Sequence, residues 1–541
     1  MATRKDELSA YSFARKRTVA AFLAPSPGGS EEGAPRPFKT VMPSLIVGVI
    51  LVVGCVGWGV IKPSAPKGWD EPGKYIIVDS DSTTRYVVLP DKGPGGKKVP
   101  TLHPVLNYAS AKLLLDKGKG EVLEVKGSEI DKSGIAHGST LGIPYAPDRL
   151  PTAGDAEKAK VWAVCERPSV GTGTNIDRAV FVLNEKEASA VTDQKKGALG
   201  PADVLYVVDS STTDGTHPGA QYIIDSNGSK FLVGDPTAVP NTLPGTTQEQ
   251  LRTAVIGGAA DPQRVSKEWL ASLNDGGHIE FPTIPGLGEQ TSMQGMPDKA
   301  RTVGMVLQSQ DTSGTQFYVV LKDHVARVSP FVAQLLRGLP DASKLYADAS
   351  TDPVKVSATD LIKANGGSMD VFEAGKGWPK LSPKWANTSA PTEGAKAHDT
   401  ACSVYKGTPD PATKKPLLTA WAGSSYPKNV SAESLNAYVS SGSGLLFTEL
   451  SGTAEGGGAK YLLTDTGLRY ALPSGNDSTK KNGSTTTSPS TGEDASETDK
   501  ARARLGYEKT TDSAPVPATW AEFIPKGPTL DTGAAAQPQS Q

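Results

Sequence analysis

Residues 43–61 read PSLIVGVILVVGCVGWGVI, an unbroken run without a charged side chain. As a helix rising about 1.5 Å per residue the run reaches about 28 Å, close to the roughly 30 Å hydrocarbon core of a bilayer. Pro43 falls in the first turn, where a helix tolerates proline, and Trp58 stands near the far end, where an indole rests at the interface. A buried core helix keeps a polar face, and this run has none. A signal peptide has a shorter apolar region and a small-residue cleavage site, and neither is evident after Ile61. The run predicts one transmembrane helix, dividing a short leader from a long body.

In the leader, Arg4, Lys5, Arg15, Lys16, Arg17, Arg36 and Lys39 outnumber Asp6, Glu7, Glu31 and Glu32. The positive-inside rule therefore keeps residues 1–42 in the cytoplasm, with Lys62 and Lys67 weakening the asymmetry somewhat. Residues 6–23, DELSAYSFARKRTVAAFL, read as a short amphipathic helix with a cationic side. Such a helix suits either the membrane surface or a cytoplasmic partner. The Pro, Gly and Ser of 25–37 make a flexible spacer.

Outward of the span a pattern returns four times. YIIVD (75–79) precedes RYVVLP (85–90), and QYIID (221–225) precedes KFLVG (230–234). TQFYVVLKD (315–323) precedes VARV (325–328), and KYLLTD (460–465) precedes LRYALP (468–473). Each pair is a β-hairpin signature, two β-branched or aromatic runs around an Asp-containing turn. Those aspartates, Asp79, Asp225, Asp323 and Asp465, read as turn caps rather than catalytic carboxylates. A helical pattern follows each hairpin: 105–116, then 246–256 and 266–274, then 330–338, then 499–505. These read as four small α+β modules, too widely spaced for a tight solenoid. Further apolar strands at 161–165, 179–184, 204–209, 400–405, 417–422 and 444–450 suggest a central β region drawn from both halves of the body. Residues 474–500 are polar and of low complexity, a disordered insert, and the tail from 531 lacks core-forming residues.

With 56 basic and 58 acidic residues the chain has no global field for nucleic acid, nor a basic stripe interleaved with aromatics. A P-loop needs GxxxxGK[ST] so that backbone amides and the lysine converge on the phosphates, and no such run exists. The nearest clusters, KGPGGKK (92–98) and GTGTN (171–175), read as loops. Six histidines, at 103, 137, 217, 278, 324 and 398, show no metal-ligand spacing. His103, before Pro104 and at an expected helix start, suits a structural hydrogen bond. Cys55 lies in the span, so Cys165 and Cys402 are the only pair in the body, which suggests a disulfide. No catalytic, cofactor-binding or metal-ligating residue is assigned.

LHPVLNYASAKLLL (102–115) resembles the EccB family, a membrane component of the actinobacterial type VII (ESX) secretion system. Other stretches agree in order: YSFAR (11–15), the lone span, LGIPYAP (141–147), VWAVC (161–165), QFYVVL (316–321), Ala401 and Cys402, LRYALP (468–473), and WAEFIPKGPTL (520–530). The resemblance covers about residues 8–530, and its departure is the 474–500 insert. It implies a periplasmic body of four related modules around a central core, with the family's paired cysteines falling on Cys165 and Cys402.

The expected fold is α+β: a cytoplasmic leader (1–42), a transmembrane helix (43–61), and an extended periplasmic body of hairpin-plus-helix modules around a β-rich core. Modules are expected at 62–125, 211–295, 296–375 and 441–530, core parts at 126–210 and 376–440, and a disordered tail at 531–541. The expected function is that of a structural, single-pass component of a type VII secretion complex in the cell membrane. Its partners would be a motor ATPase and a multi-span channel protein. One alternative is a nucleotide-hydrolysing subunit with ATP as cofactor, as the family is often labelled. A second is a cell-wall binding module with peptidoglycan as partner.

Overall fold

A computed structural model describes residues 3–23, 37–61, 65–169, 175–212, 219–234, 247–257, 261–291, 293–346, 350–365, 369–375, 377–388, 398–430, 437–451, 458–473, 497–510 and 513–539. They form two units. One comprises residues 1–69, 79–82 and 124–133; the other comprises 70–78, 83–123 and 134–541.

The first unit holds two helices, Arg4–Leu23 and Pro37–Ile61. The leader helix forms, without the segregated faces expected of it. Leu8, Tyr11, Val19 and Phe22 recur at three- and four-residue steps, but Arg4 and Arg15 occupy the same stripe, so apolar and basic groups share one side. On Pro37–Ile61 the side chains of residues 42–55 are described, and all are exposed. Among the described residues no helix is long and apolar enough to cross a membrane. Also in this unit, the Asp79 carboxylate accepts from the Asp81 amide (2.9 Å) and the Ser82 hydroxyl (2.6 Å), closing the first hairpin's turn. These bonds, the Ser82 hydroxyl foremost, hold its carboxyl below the usual aspartate range.

The second unit carries five sheets, save for Asp79 and residues 124–125 at the ends of two strands, which are counted in the first. Strands β1 (Tyr75–Asp79), β2 (Arg85–Lys92) and β3 (Lys98–Val105) form an antiparallel meander, β4 (Glu121–Val125) lies beside β1, and β5 (Ala136–His137) runs parallel to β3. The chain then enters a central sheet through β6 (Val161–Pro168) and β7 (Ile176–Leu183). A second meander follows, β8 (Asp203–Asp209), β9 (Gln221–Ile224) and β10 (Ser229–Val233). The helix Thr247–Ile256 leads from it to β11 (Gln263–Val265), parallel to β8, and β12 (Asn274–Ile279) returns parallel to β10.

The third meander is β13 (Val306–Asp311), β14 (Gly314–Val320) and β15 (Val325–Val328). After helix Pro330–Arg337 comes β16 (Val354–Lys355), parallel to β13. Strand β17 (Lys384–Trp385) pairs with β8 before the chain re-enters the central sheet through β18 (Thr400–Pro409), β19 (Pro416–Gly423) and β20 (Ala437–Val439). The fourth meander is β21 (Leu445–Leu450), β22 (Lys460–Leu463) and β23 (Arg469–Leu472). Helix Glu497–Leu505 then leads to β24 (Ala514–Pro517), parallel to β21.

Each outer sheet is thus three antiparallel strands, a helix, and a return strand beside the first, rather than a hairpin and a helix. The local physics of the third is representative. Ser329 caps its helix by accepting from the Val332 amide (3.1 Å), Pro330 occupies the first turn, and Gly338 follows the last. Phe331, Val332, Leu335 and Leu336 are buried as the apolar stripe.

Several expectations need correction. The strand at 204–209, expected in the central region, is β8, the first strand of the second meander, and that at 444–450, read both as a central strand and within the 441–530 module, is β21, the first strand of the fourth. The helix expected at 105–116 starts at Tyr108, because 98–105 continue the first sheet as β3. The insert expected to run to residue 500 is helical from Glu497, with Thr498 and Ala501 buried; residues 474–496 lie outside the described residues. The tail expected to be disordered from 531 is built through residue 539. Asp531 caps helix Thr532–Ala535, Ala535 is buried, and the Gln539 amide donates to the Thr140 carbonyl (2.9 Å).

Candidate functional site

The residues that could carry chemistry are dispersed and locally satisfied. His103 lies in β3 rather than at a helix start. Its Nε2 meets an Asp91 carboxylate oxygen at 2.9 Å and its Nδ1 the Ser139 carbonyl at 2.8 Å. His324 contacts Asp323 at 2.7 Å, and His398 the Ala386 carbonyl at 3.1 Å. His217 and residues 171–174 lie outside the described residues. Of residues 92–98, Lys92 and Lys98 are paired ends of β2 and β3 and 93–97 form the loop between them, with a single tight turn at Pro94–Gly96. Among the described residues no three His, Cys, Asp or Glu side chains gather where they could hold a metal. Asp225 closes its own turn, accepting from the amides of Asn227 (3.0 Å) and Ser229 (2.8 Å), and burial raises its carboxyl above the usual range. Asp465 instead accepts from the Gly442 amide (2.9 Å) and pairs with Arg149 (3.4 Å).

What the fold does concentrate is a joint. The central sheet runs β19–β18–β6–β7–β20, so its middle pair joins residues near 165 to residues near 402. Cys165 and Cys402 sit directly opposite each other in that register, with Cα atoms 4.0 Å apart and sulfurs bonded at 2.02 Å. Their face packs with Phe181, Val191 and Trp421. The opposite face carries Trp162, Val164 and Tyr405, and there Trp269 and Trp520 arrive from either side of the chain. The indole of Trp269 donates to the Val164 carbonyl (2.8 Å), that of Trp520 to the Ser272 carbonyl (3.1 Å), and the Tyr405 hydroxyl to the Pro515 carbonyl (2.8 Å). Burial of that hydroxyl raises its pKa above the usual tyrosine range.

One residue beyond the disulfide, Glu166 is 0% exposed. A buried carboxylate is tolerated only when its oxygens are filled. Here the Arg178 guanidinium donates to it (2.7 Å), as do the Ser266 amide (2.8 Å) and hydroxyl (2.7 Å). Ser266 also caps helix Lys267–Ala271, so one carboxylate ties the central sheet to the second outer sheet. The buried Asn387 extends the tie, accepting from the Tyr206 amide (2.8 Å) and donating to Gln263 (2.9 Å). At the far edge, Glu187 accepts from Ser440 (2.6 Å), Tyr438 (3.0 Å) and Lys428 (3.0 Å). Burial pushes its carboxyl upward, yet these three donors prevail and hold it below the usual range.

A second joint couples the first and fourth sheets. Ala109 and Leu113 share a core with Leu446, Leu462, Ala501, Leu505, Leu530 and Ala535. Sequence reasoning missed this joint and Glu166 alike. A glutamate in a strand and an Ala/Gln tail look solvated until partners such as Ser266 and the Gly142 carbonyl, 100 and 397 residues distant, are known.

The family description "Type VII secretion system ESX-1, transport TM domain B" matches residues 1–540. The chain is 25% identical over 338 residues to the ESX-1 secretion system ATPase EccB1 of Mycolicibacterium smegmatis (strain MKD8), covering 62% of this chain and 61% of that protein. It is 30% identical over 299 residues to the ESX-2 secretion system ATPase EccB2 of Mycobacterium tuberculosis (strain ATCC 25618 / H37Rv), covering 54% and 52%. The match therefore spans about three fifths or less of these curated relatives. The fold superposes on the EccB3 dimer from the ESX-3 core complex with a TM-score of 0.54 and 20% identity, covering 85% of this chain and 99% of that one. For the periplasmic assembly of the ESX-5 inner membrane complex the TM-score is 0.52 at 21% identity, covering 88% and 98%.

Proposed function

This chain belongs to the EccB family of type VII secretion components, and on that premise we propose that it is a structural membrane component that assembles the periplasmic part of an ESX export machine. The leader (1–42) stays cytoplasmic, the uncharged run 43–61 crosses the membrane once, and the five-sheet body stands outside. The observation that carries this reading is the family match over residues 1–540, which the uncharged run 43–61 supports from the sequence. Residues 43–61 hold no charge, and the described side chains from 42 to 55 are exposed, a surface that hydrocarbon or neighbouring apolar helices would cover. The four outer sheets are one duplicated module, a reading supported by their shared strand order. Because a relative of the same fold is a dimer, the chain is also proposed to pair with a second copy.

The work is architectural. Relatives carry the name ATPase, but the sequence offers no run that would cradle a triphosphate, so hydrolysis falls to a separate motor ATPase in the same complex. Purification of the full-length protein from its native membrane in mild detergent, followed by mass spectrometry, tests this. Recovery with a multi-span channel protein and a motor ATPase is the expected result. Recovery alone, together with sedimentation on isolated peptidoglycan, would move the assignment to wall binding.

A further inference from the structure

The tip of the first meander carries charge that nothing in the chain answers. Lys92 and Lys98 stand directly opposite each other at the ends of β2 and β3, and Lys97 precedes Lys98. All three side chains are exposed, and none of them makes an ion pair or a hydrogen bond among the described residues. The acid of the hairpin, Asp91, is engaged by His103 (2.9 Å). Like charges set opposite each other across a strand pair destabilise it. The tip is nevertheless firmly closed. The Gly93 amide donates to the Lys97 carbonyl (2.8 Å) and the Gly96 amide to the Gly93 carbonyl (3.1 Å). Gly95 and Gly96 take φ of 78° and 77°, which a side chain would strain.

The cluster also projects. Ile76 lies opposite Val87 and the Gly73 amide donates to the Val88 carbonyl (2.7 Å), so β1 begins level with Val88. Past that level β2 and β3 run on for four more pairs, from Leu89 opposite Thr101 to Lys92 opposite Lys98, a length of about 13 Å. They do so at the end of the sheet where the chain enters it. β1 is the first strand after the apolar run, and residues 62–74 between them reach at most about 45 Å.

We propose that this tip docks on the outer face of the bilayer, with Lys92, Lys97 and Lys98 bound to the phosphates of anionic phospholipids. The inference rests on the membrane topology proposed above, in which the span delivers the chain to this end of the first sheet. An ammonium on a flexible stem meets phosphate as a point charge, without the fixed angles an arginine fork would impose. Three of them on one rigid tip call for several anions side by side, which a headgroup layer supplies. Each lysine brought to such a surface strengthens binding roughly fivefold.

Hydrogen exchange on the full-length protein in lipid nanodiscs tests it. In discs of phosphatidylcholine with about 30% phosphatidylglycerol, the amides of 93–97 exchange at least about tenfold more slowly than in phosphatidylcholine alone. Salt at about 0.5 M removes the difference. The combined substitutions Lys92→Ser, Lys97→Ser and Lys98→Ser abolish the lipid dependence, while the unfolding midpoint holds or rises because the opposed charges are gone. Lys92→Arg, Lys97→Arg and Lys98→Arg together retain it. Equal exchange in the two lipids, from protein that has entered the discs, would overturn the docking and leave the topology standing. Protein that fails to enter the discs would remove both. Slowing by soluble polyglutamate, with none from the anionic discs, would overturn the proposal in favour of an acidic protein partner.

Discussion

The two joints of the body are closed by different physics. The central sheet is closed by strand pairing, a disulfide and the buried Glu166, all fully internal. The joint of first and fourth sheets is closed by small side chains such as Ala109, Ala501 and Ala535, and by a tail whose last described residue, Gln539, donates to the Thr140 and Gly142 carbonyls. The first is covalent and ionic; the second is a latch of modest contacts. The body accordingly has a hub that should not open and a flank that can.

The largest break in this contrast is the disulfide. Replacing Cys165 and Cys402 by alanine releases a link spanning 237 residues, and loop entropy puts the loss at about 5 kcal/mol. Denaturant unfolding should show the midpoint fall; an unchanged midpoint would mean that strand pairing alone suffices. Next comes Glu166→Ala, which removes the buried partner of Arg178 and leaves the Ser266 amide and hydroxyl without their acceptor. A cost of about 3 kcal/mol is expected, at the low end for a broken buried pair because Arg178 reaches solvent. Calorimetry measures it, with Glu268→Ala, a surface partner of the same arginine, as the near-neutral control.

Ending the chain at Leu530 sharpens the comparison, because only the flank should respond. It removes the Gln539 bonds, those from Thr532 to Glu497, and the buried Ala535, worth together roughly 2 kcal/mol. Hydrogen exchange should quicken at Leu141 and Ile143 and stay slow along β6 and β18. Equal loosening of both regions would erase the distinction. The smallest effect is at Glu187. Its folded pKa is lowered, so its contribution is present above the ordinary glutamate range and is lost as pH falls through the folded value. Glu187→Gln should flatten the acid limb of a stability–pH curve below about pH 4.5, with little change at pH 7 in the slope itself.

Much of this was legible locally. The hairpins at 75–90, 221–234, 315–328 and 460–473 stand in the structure because alternating β-branched runs around Asp turns specify neighbours in sequence. Strand ownership was not. Residues 204–209 form a continuous apolar run, which fits burial on both faces but names no partner; β9, β11 and β17 decide it. The leader failed differently. Counting apolar residues found the helix, while only the angular positions of Arg4 and Arg15 reveal that charge interrupts its apolar stripe. The tail was misread from composition, since alanine buries little and glutamine bonds well when a carbonyl awaits it.

The distance in sequence between the two central cysteines also sets a clock. Synthesis at roughly 5–20 residues per second leaves Cys165 waiting some ten to fifty seconds while the 237 residues to Cys402 are made. During that interval the inner strands of the hub lack their neighbour, and a reactive thiol would be exposed to any rival. The chain offers almost none. No cysteine occurs between the two, and the third, Cys55, sits in the apolar helix. The scarcity of cysteine is therefore a kinetic safeguard: the hub can close late because its own chain holds a single other thiol.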